Sequence, residues 1–151
     1  MERDSRNIYK IARRTAGYTQ EHWAEAVGVS VESIRNYEAG TQIPGDEVVK
    51  AMCEISGLSQ VSYWHLCRKS SLAAEILPEV ETVPLPQAVC ALLCSIREFV
   101  NKERDARLLD MAADGKIDAL ERPEFDDIVK ELRRIVKAAM QLWYAERDGR
   151  K

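Results

Sequence analysis

The chain has 151 residues, of which 46% are hydrophobic and 31% charged, and its formal net charge is −3. These values are typical of a globular protein with a hydrophobic core, and the small numbers of glycine and proline exclude a fibrous or disordered chain. No apolar run is long enough to cross a membrane, the N-terminus lacks the apolar segment of a secretory signal, and four cysteines without such a signal indicate the cytoplasm.

The first 70 residues are predicted to form five short helices. Serine and threonine side chains cap helix N-termini, and glycine readily adopts the left-handed conformation that ends a helix. By these signals the first helix covers residues 6–15, the fourth begins near Asp46, and residues 70–77 continue the fifth. The residues predicted to cap or end these helices are Gly17, Thr19, Gly28, Ser30, Gly40, Gly57 and Ser59. The residues of the fourth helix predicted to face inward are Val48, Val49, Met52 and Ile55.

The segment from Gln20 to Glu38, QEHWAEAVGVSVESIRNYE, contains the most informative pattern in the chain. Apolar residues recur at helical spacing on both sides of Gly28, which marks a tight turn between two short helices. This is the helix-turn-helix pattern, in which the second helix of the pair is presented to the major groove of DNA.

A proline-rich linker is predicted at residues 78–86, because three prolines fall within nine residues. Beyond it, apolar residues at steps of three and four predict two long helices, at about 87–112 and 123–147. A turn at Asp114-Gly115 joins them, so they should form an antiparallel hairpin. A lone hairpin has too little core, so each helix needs a further surface, either the first domain or a second copy of the chain.

The fold class is therefore predicted to be all-α, with a helix-turn-helix domain at 1–77 and a C-terminal hairpin at 87–151 that serves dimerisation. Residues 1–70 contain nine basic and nine acidic side chains, so the net negative charge lies entirely in the second half. For DNA binding the local placement of cations matters more than the global sum. A modest cluster of cations occurs in the first segment, at Arg3, Arg6, Lys10, Arg13 and Arg14.

Three sequence elements carry a resemblance to a known family. They are RRTAGYTQEHWAEAVGVS, VESIRNYEAGTQIP and LSQVSYWHL, and they occur in this order in the first half of the chain. In sequence and spacing they resemble the Cro- and lambda-repressor-like helix-turn-helix family, also called the XRE family, over about residues 6–68. The resemblance implies a five-helix DNA-binding domain, and the C-terminal half resembles no family.

The resemblance also implies roles for particular residues. It implies that Thr19 and Gln20 direct the N-terminus of the second helix toward a phosphate, because unpaired amides and the helix dipole favour an anion there. It implies a buried ion pair between Arg13 and Glu38, which we assign to structure rather than to recognition. The further positions implied to contact DNA are Ser30, Val31, Glu32, Ser33, Arg35, Asn36, Thr41 and Gln42.

Side-chain chemistry suggests what some of these positions could read. Asn36 could pair with adenine, Val31 could touch a thymine methyl group, and Arg35 could reach phosphate or guanine. Glu32 is repelled by phosphates unless it meets a cytosine amino group. A recognition helix with a glutamate at this position departs from the more usual glutamine- or arginine-rich helix of the family. This difference leaves open the alternative that the helix-turn-helix domain serves protein contacts instead.

Other kinds of site fit the sequence less well. Cys90 and Cys94 lie one helical turn apart, but no histidine is nearby, and small buried hydrophobes are the expected role. The loop from Asp110 to Glu121 resembles an EF-hand, yet Ala112 occupies a ligand position, so a capped turn is favoured over a calcium site. No metal, cofactor or catalytic constellation is predicted, and the chain is not expected to be an enzyme.

The sequence thus predicts a cytoplasmic, sequence-specific transcriptional regulator of bacterial, phage or mobile-element origin, most simply a repressor. Its expected partners are double-stranded DNA with a palindromic operator and a second copy of the chain, with no membrane involved. The alternative is a protein-interaction module, such as an antitoxin or adaptor, that holds an unidentified protein partner and binds DNA weakly or not at all.

Overall fold

The computed structural model describes residues 7–148, and side chains as far as residue 145. All regular secondary structure in this range is helical, and the chain divides into two compact units whose boundary lies between residues 77 and 78. The first unit contains α1 (Ile8–Thr15), α2 (Gln20–Val27), α3 (Val31–Ala39), α4 (Asp46–Ser56), α5 (Gln60–Lys69) and α6 (Ser71–Ile76). The second contains α7 (Leu85–Asn101), α8 (Arg104–Ala112) and α9 (Arg122–Asp148). No helix in the described range is long and apolar enough to span a membrane.

The turn between α2 and α3 is built from the predicted local signals. Thr19 Oγ1 accepts a hydrogen bond from the His22 amide at 3.3 Å, and Ser30 Oγ accepts one from the Ser33 amide at 3.1 Å. Gly28 ends α2 with φ of 74°, a left-handed conformation that is costly for residues with a Cβ. The Thr19 cap therefore sets where α2 begins, and Gly28 and the Ser30 cap set where α3 begins and in which direction it leaves the turn.

The core of the first unit fixes α3 in place. Trp23 of α2, Ile34 of α3 and Met52 of α4 are almost completely buried in one hydrophobic cluster. Helix α1 packs against α3, α4 and α5, and α2 packs against α3 and α4. Because interiors are close-packed, α3 cannot rotate about its axis without breaking these contacts. Its outward face is consequently a fixed surface.

Three details of the first unit differ from the sequence prediction. Ser59 occupies the N-cap position of α5, but its side chain makes no capping hydrogen bond to the described backbone. Ile55 is exposed rather than inward, whereas Val49 and Met52 are buried as predicted. Residues 71–76 form a separate helix, because Ser70 is extended and its hydroxyl accepts a hydrogen bond from the Ala73 amide.

The second unit is a hairpin whose first arm is interrupted. The single long helix predicted at 87–112 is wrong: α7 ends at Asn101, and Glu103 has a left-handed φ of 53° before α8 begins. Ion pairs place α7 and then α8 along α9 in antiparallel order, with Glu98 paired to Arg134 and Arg107 to Glu124. Helix α7 also begins at Leu85, inside the predicted linker.

Candidate nucleic-acid interface

Helix α3 has one buried and one exposed face. Ile34, Tyr37 and Glu38 are buried, whereas Glu32 and Arg35 are exposed and Asn36 is half-buried. At 100° per residue, Glu32, Arg35 and Asn36 lie on the side of the helix opposite the core. The structure therefore brings together, on one outward surface, three of the side chains expected to read bases.

The first turn of α3 departs from that expectation. Val31, predicted to touch a thymine methyl group, is half-buried and packs against the core cluster. The hydroxyls of Ser30 and Ser33 lie 2.9 Å apart and share a hydrogen bond. Both serines are thus occupied in starting the helix, and the exposed side chains of the outward face in this part of α3 are Glu32 and Arg35.

Arg35 and Asn36 already have weak partners on the protein. The Arg35 guanidinium lies 3.9 Å from the Glu21 carboxylate, and both side chains are more than half exposed. The Thr41 hydroxyl donates to the Asn36 backbone carbonyl at 3.2 Å and lies 3.4 Å from its side-chain oxygen. An exposed ion pair of this kind contributes little to stability, so a nucleobase or phosphate can displace it at small cost.

A buried ion pair joins α1 to the C-terminal end of α3. Arg13 Nε donates to Glu38 Oε1 at 2.5 Å and Arg13 Nη2 to Glu38 Oε2 at 3.1 Å, with side-chain exposures of 12% and 7%. The pair implied by the family resemblance is present in the structure. Burial raises the pKa of Glu38, but hydrogen bonds from Arg13 and Gln20 outweigh it, so the pKa lies below its ordinary value. Glu38 is therefore held as a carboxylate at neutral pH.

Gln20 belongs to this ion pair rather than to an open phosphate site. Its Nε2 donates to Glu38 Oε2 at 2.9 Å, so the amide expected to reach a phosphate is already engaged. The backbone amides at the start of α2 still surround Thr19, which is exposed. Gln20 consequently couples the N-terminus of α2 to the end of α3, and any phosphate contact there falls to the backbone and to Thr19.

Arg68 is a candidate phosphate ligand that the sequence analysis missed. Its guanidinium lies 5.9 Å from the centroid of the Tyr9 ring, and a Cβ added to Gly40 would approach its Nη2 to 3.0 Å. Gly40 ends α3 and precedes Thr41 and Gln42, both exposed as expected for backbone contacts. Arg68 thus brings a cation from α5 to the end of α3, a tertiary contact with no signal in local sequence. Arg3 and Arg6 lie outside the described residues.

A hydrogen-bonded chain ties α1, α4 and α5 together beside α3. The Tyr9 hydroxyl and His65 Nδ1 share a hydrogen bond of 2.9 Å, and His65 Nε2 and Asp46 Oδ1 share one of 3.1 Å. Hydrogen bonds from Lys69 and then His65 lower the pKa of Asp46. Asn7 Nδ2 donates to the Tyr37 carbonyl at 2.9 Å. These contacts connect α1 to the end of α3 and provide hydrogen-bond partners for the buried Asn7 and His65.

The alternative sites of the second half look different in the structure. Asp118 Oδ1 accepts hydrogen bonds from the amides of Leu120 and Glu121, and Glu121 Oε2 accepts one from the Asp118 amide, which is a capping box. Cys90 and Cys94, expected to be buried, are exposed. Among residues 7–145, no three potential metal-ligating side chains come together.

Comparison with known proteins agrees with this geometry. Residues 10–63 match a protein-family model described as a helix-turn-helix domain. The matched segment runs from α1 into α5 and contains the whole of α2, the turn and α3. No curated protein and no solved structure matches the chain. The class of the first unit is thus defined: residues 10–63 are a helix-turn-helix domain, consistent with an XRE or lambda-repressor-like one.

Proposed function

We propose that this protein is a cytoplasmic, sequence-specific DNA-binding regulator that acts as a homodimer and represses transcription by occupying a promoter. The observation that carries the proposal is the outward face of α3, where Glu32 and Arg35 are exposed and Asn36 is half-buried on a helix whose opposite side packs into the core. Polar side chains in this arrangement match the donors and acceptors of base edges in the major groove. No catalytic step forms part of the proposal.

In this proposal α3 lies in the major groove and α2 crosses the backbone. Asn36 pairs with adenine, Arg35 reaches guanine or a phosphate, and Glu32 accepts a hydrogen bond from a cytosine amino group. The amides near Thr19, and the Thr41–Gln42 segment with Arg68 beside it, contact phosphates on the two sides of the groove. Phosphate contacts set the position of the domain, and the α3 side chains select the sequence.

The electrostatics of this surface favour specific over non-specific binding. The pKa of Glu21 is lowered, chiefly by a hydrogen bond from the backbone amide of Glu21 itself and further by Thr19 and Arg35. Glu21 is therefore negative at neutral pH. Glu21 and Glu32 both oppose an approaching phosphate backbone. Because the Arg35–Glu21 pair is exposed, Arg35 leaves it at small cost for a base or a phosphate. A sequence that offers Glu32 no cytosine amino group leaves that carboxylate facing phosphates, and this penalises the sequence.

A twofold dimer would place two α3 helices on the same face of the duplex. Its operator would then be palindromic, with half-sites separated by about one helical turn, roughly 34 Å. In such a dimer two weak half-site contacts add up to tighter binding. Once one subunit is bound, the other subunit meets its own half-site at a high effective concentration. Origin in a bacterium, phage or mobile element goes with the XRE resemblance and is part of the proposal.

Selection of bound sequences from a random DNA pool tests this function. We expect a palindromic consensus, and an affinity whose log–log dependence on salt has a slope of about −0.9 for each phosphate contact. The same titration with a shuffled duplex is the control for non-specific binding. No enrichment, together with weak affinity that barely depends on salt, would instead support the protein-interaction module.

A further inference from the structure

Helix α7 exposes an apolar row where a monomer would carry polar side chains. Of its 17 residues only Ala88 is fully buried, and the exposed fractions of Leu93, Ile96 and Val100 are 47%, 40% and 53%. Arg97 and Glu98 are the only charged residues in the helix. A solvent-facing helix surface normally alternates charged and polar residues, so this row is unusual.

Helix α9 exposes a matching row. The exposed fraction of Val136 is 50% and that of Trp143 is 61%. In both helices an exposed apolar residue directly follows an inward one, as Val100 follows Phe99 and Val136 follows Ile135. Each step along a helix turns the side-chain direction by 100° in the same right-handed sense. When two antiparallel helices face each other, the residues that directly follow the inward positions therefore lie on the same side of the pair in both helices. We call Leu93, Ile96, Val100, Val136 and Trp143 the apolar face.

The ion pairs between the same helices lie on the other side. Arg134 Nη2 donates to Glu98 Oε2 at 3.0 Å, and Lys102 Nζ donates to Glu131 Oε1 at 3.2 Å. Glu98 directly precedes the inward Phe99, and Arg134 directly precedes the inward Ile135. These two side chains are therefore turned 100° from the inward direction in the sense opposite to Val100 and Val136. The hairpin is therefore amphipathic as a whole, with ion pairs on one side and an almost uncharged surface on the other.

The second unit also has little interior of its own. Its buried hydrophobic residues within the described range are Val80, Ala88, Met111, Ile128 and Ala138. Two of these five are alanines, and a unit of about 70 residues needs a well-filled core to be stable alone. Covering the apolar face would supply the missing burial, because stabilisation grows with the apolar area removed from water.

We propose that the apolar face is the surface on which a second copy of the chain packs, so that two hairpins form a four-helix bundle. Along the whole of α7, about 25 Å, two adjacent helices that are each about 10 Å wide present roughly 500 Å² in projection, and the apolar face is the part of this area beside residues 93–100. This area is of the same order as the ~800 Å² that each partner buries in a standard interface.

The charges around the face favour this occupant over others. Two uncharged faces can meet about a twofold axis without burying any ion, and the exposed Arg97 and Arg133, one at each edge of the face, stay in solvent in both copies. A membrane-bound amphipathic surface would carry several basic residues along both edges, whereas the α7 edge carries Arg97 alone. An acidic or basic partner would find no opposite charge on the face.

The molar mass of the full chain in solution tests the inference, with Leu93→Glu and Val136→Glu as the test variants. We expect the wild type to have twice the mass of the 17.2 kDa chain. Each glutamate would be buried without a partner in the dimer, so either variant should raise the dimer dissociation constant about 100-fold or more. Leu120→Glu is the matched control, because Leu120 is exposed outside the face, and it should remain dimeric.

Circular dichroism identifies any variant that fails to fold, and the other variant then gives the answer. A wild type that is monomeric at concentrations saturating for DNA would overturn the inference, as would a folded Leu93→Glu or Val136→Glu protein that stays dimeric. The inference rests on the homodimer of the proposed function but is measured without DNA. A dimer that selects no DNA sequence would overturn the proposed DNA recognition alone. A sequence-selective monomer would overturn this inference and the homodimer of the proposed function, and would leave the proposed recognition of DNA by α3 standing.

Discussion

Replacing Arg13 by alanine is expected to lower the free energy of unfolding of the helix-turn-helix domain by about 3 kcal/mol. The substitution leaves the buried Glu38 carboxylate without its cation, and losing one member of a buried pair costs about 3–5 kcal/mol. The remaining hydrogen bond from Gln20 places the effect at the lower end of that range. Urea unfolding followed by circular dichroism measures the change.

The pH dependence of stability distinguishes this ion pair from simple loss of packing. The pKa of Glu38 in the folded state is below the ordinary 4.5, so the pair stabilises the fold above pH 4.5 and ceases to do so as the pH falls through the folded pKa. The difference between wild type and Arg13→Ala should therefore shrink in acid. Arg14→Ala, which alters an exposed neighbour, is the control. A difference that stays constant from pH 7 to acid would show that the pair contributes no charge interaction.

Replacing Arg35 and Asn36 together by alanine is expected to abolish selective DNA binding while the protein stays folded. Each side chain that pairs with a base edge is worth about 1–3 kcal/mol of discrimination, so the double variant should lose about 100-fold or more in preference for its operator. Both side chains lie outside the core, and the stability should change little. Competition between the selected duplex and random DNA measures the preference.

A matched control for this variant is available in the second unit. The double variant Asn101→Ala and Arg133→Ala removes the same two side-chain types from exposed positions far along the chain. It should retain full selectivity. If the Arg35→Ala and Asn36→Ala protein kept its preference as well, another surface would have to read the sequence, and the recognition role of α3 would be wrong.

The helix-turn-helix domain was predictable because its signals are local. Thr19, Gly28, Ser30 and Gly40 act on their immediate neighbours, through capping hydrogen bonds or left-handed φ angles. A family resemblance then placed Arg13 beside Glu38, a pairing that no local rule supplies. The prediction that residues 70–77 continue α5 was wrong, although the signal was local. Ser70 is a residue type that caps helix N-termini, and it starts α6 in the structure.

The errors elsewhere have tertiary causes. The break at Glu103 contains no glycine or proline, and its only trace in the sequence is the absence of hydrophobic side chains between Val100 and Leu108, apart from Ala106. Lys102 and Arg104, the two neighbours of Glu103, both form ion pairs with Glu131 of α9, whose side chain is only 15% exposed. The bond from Gln20 to Glu38, and the approach of Arg68 to Gly40, join residues 18 or more apart in sequence. Such contacts depend on the packing of helices, which periodicity alone does not specify.

The claim that the outward face of α3 reads duplex DNA is tested most directly by amide chemical shifts of the labelled protein titrated with its selected operator. We predict the largest changes at residues 19–21, 31–36 and 41–42, with Arg35 and Asn36 among them. Changes confined to α7–α9, or an α3 that does not respond at saturating DNA, would contradict it.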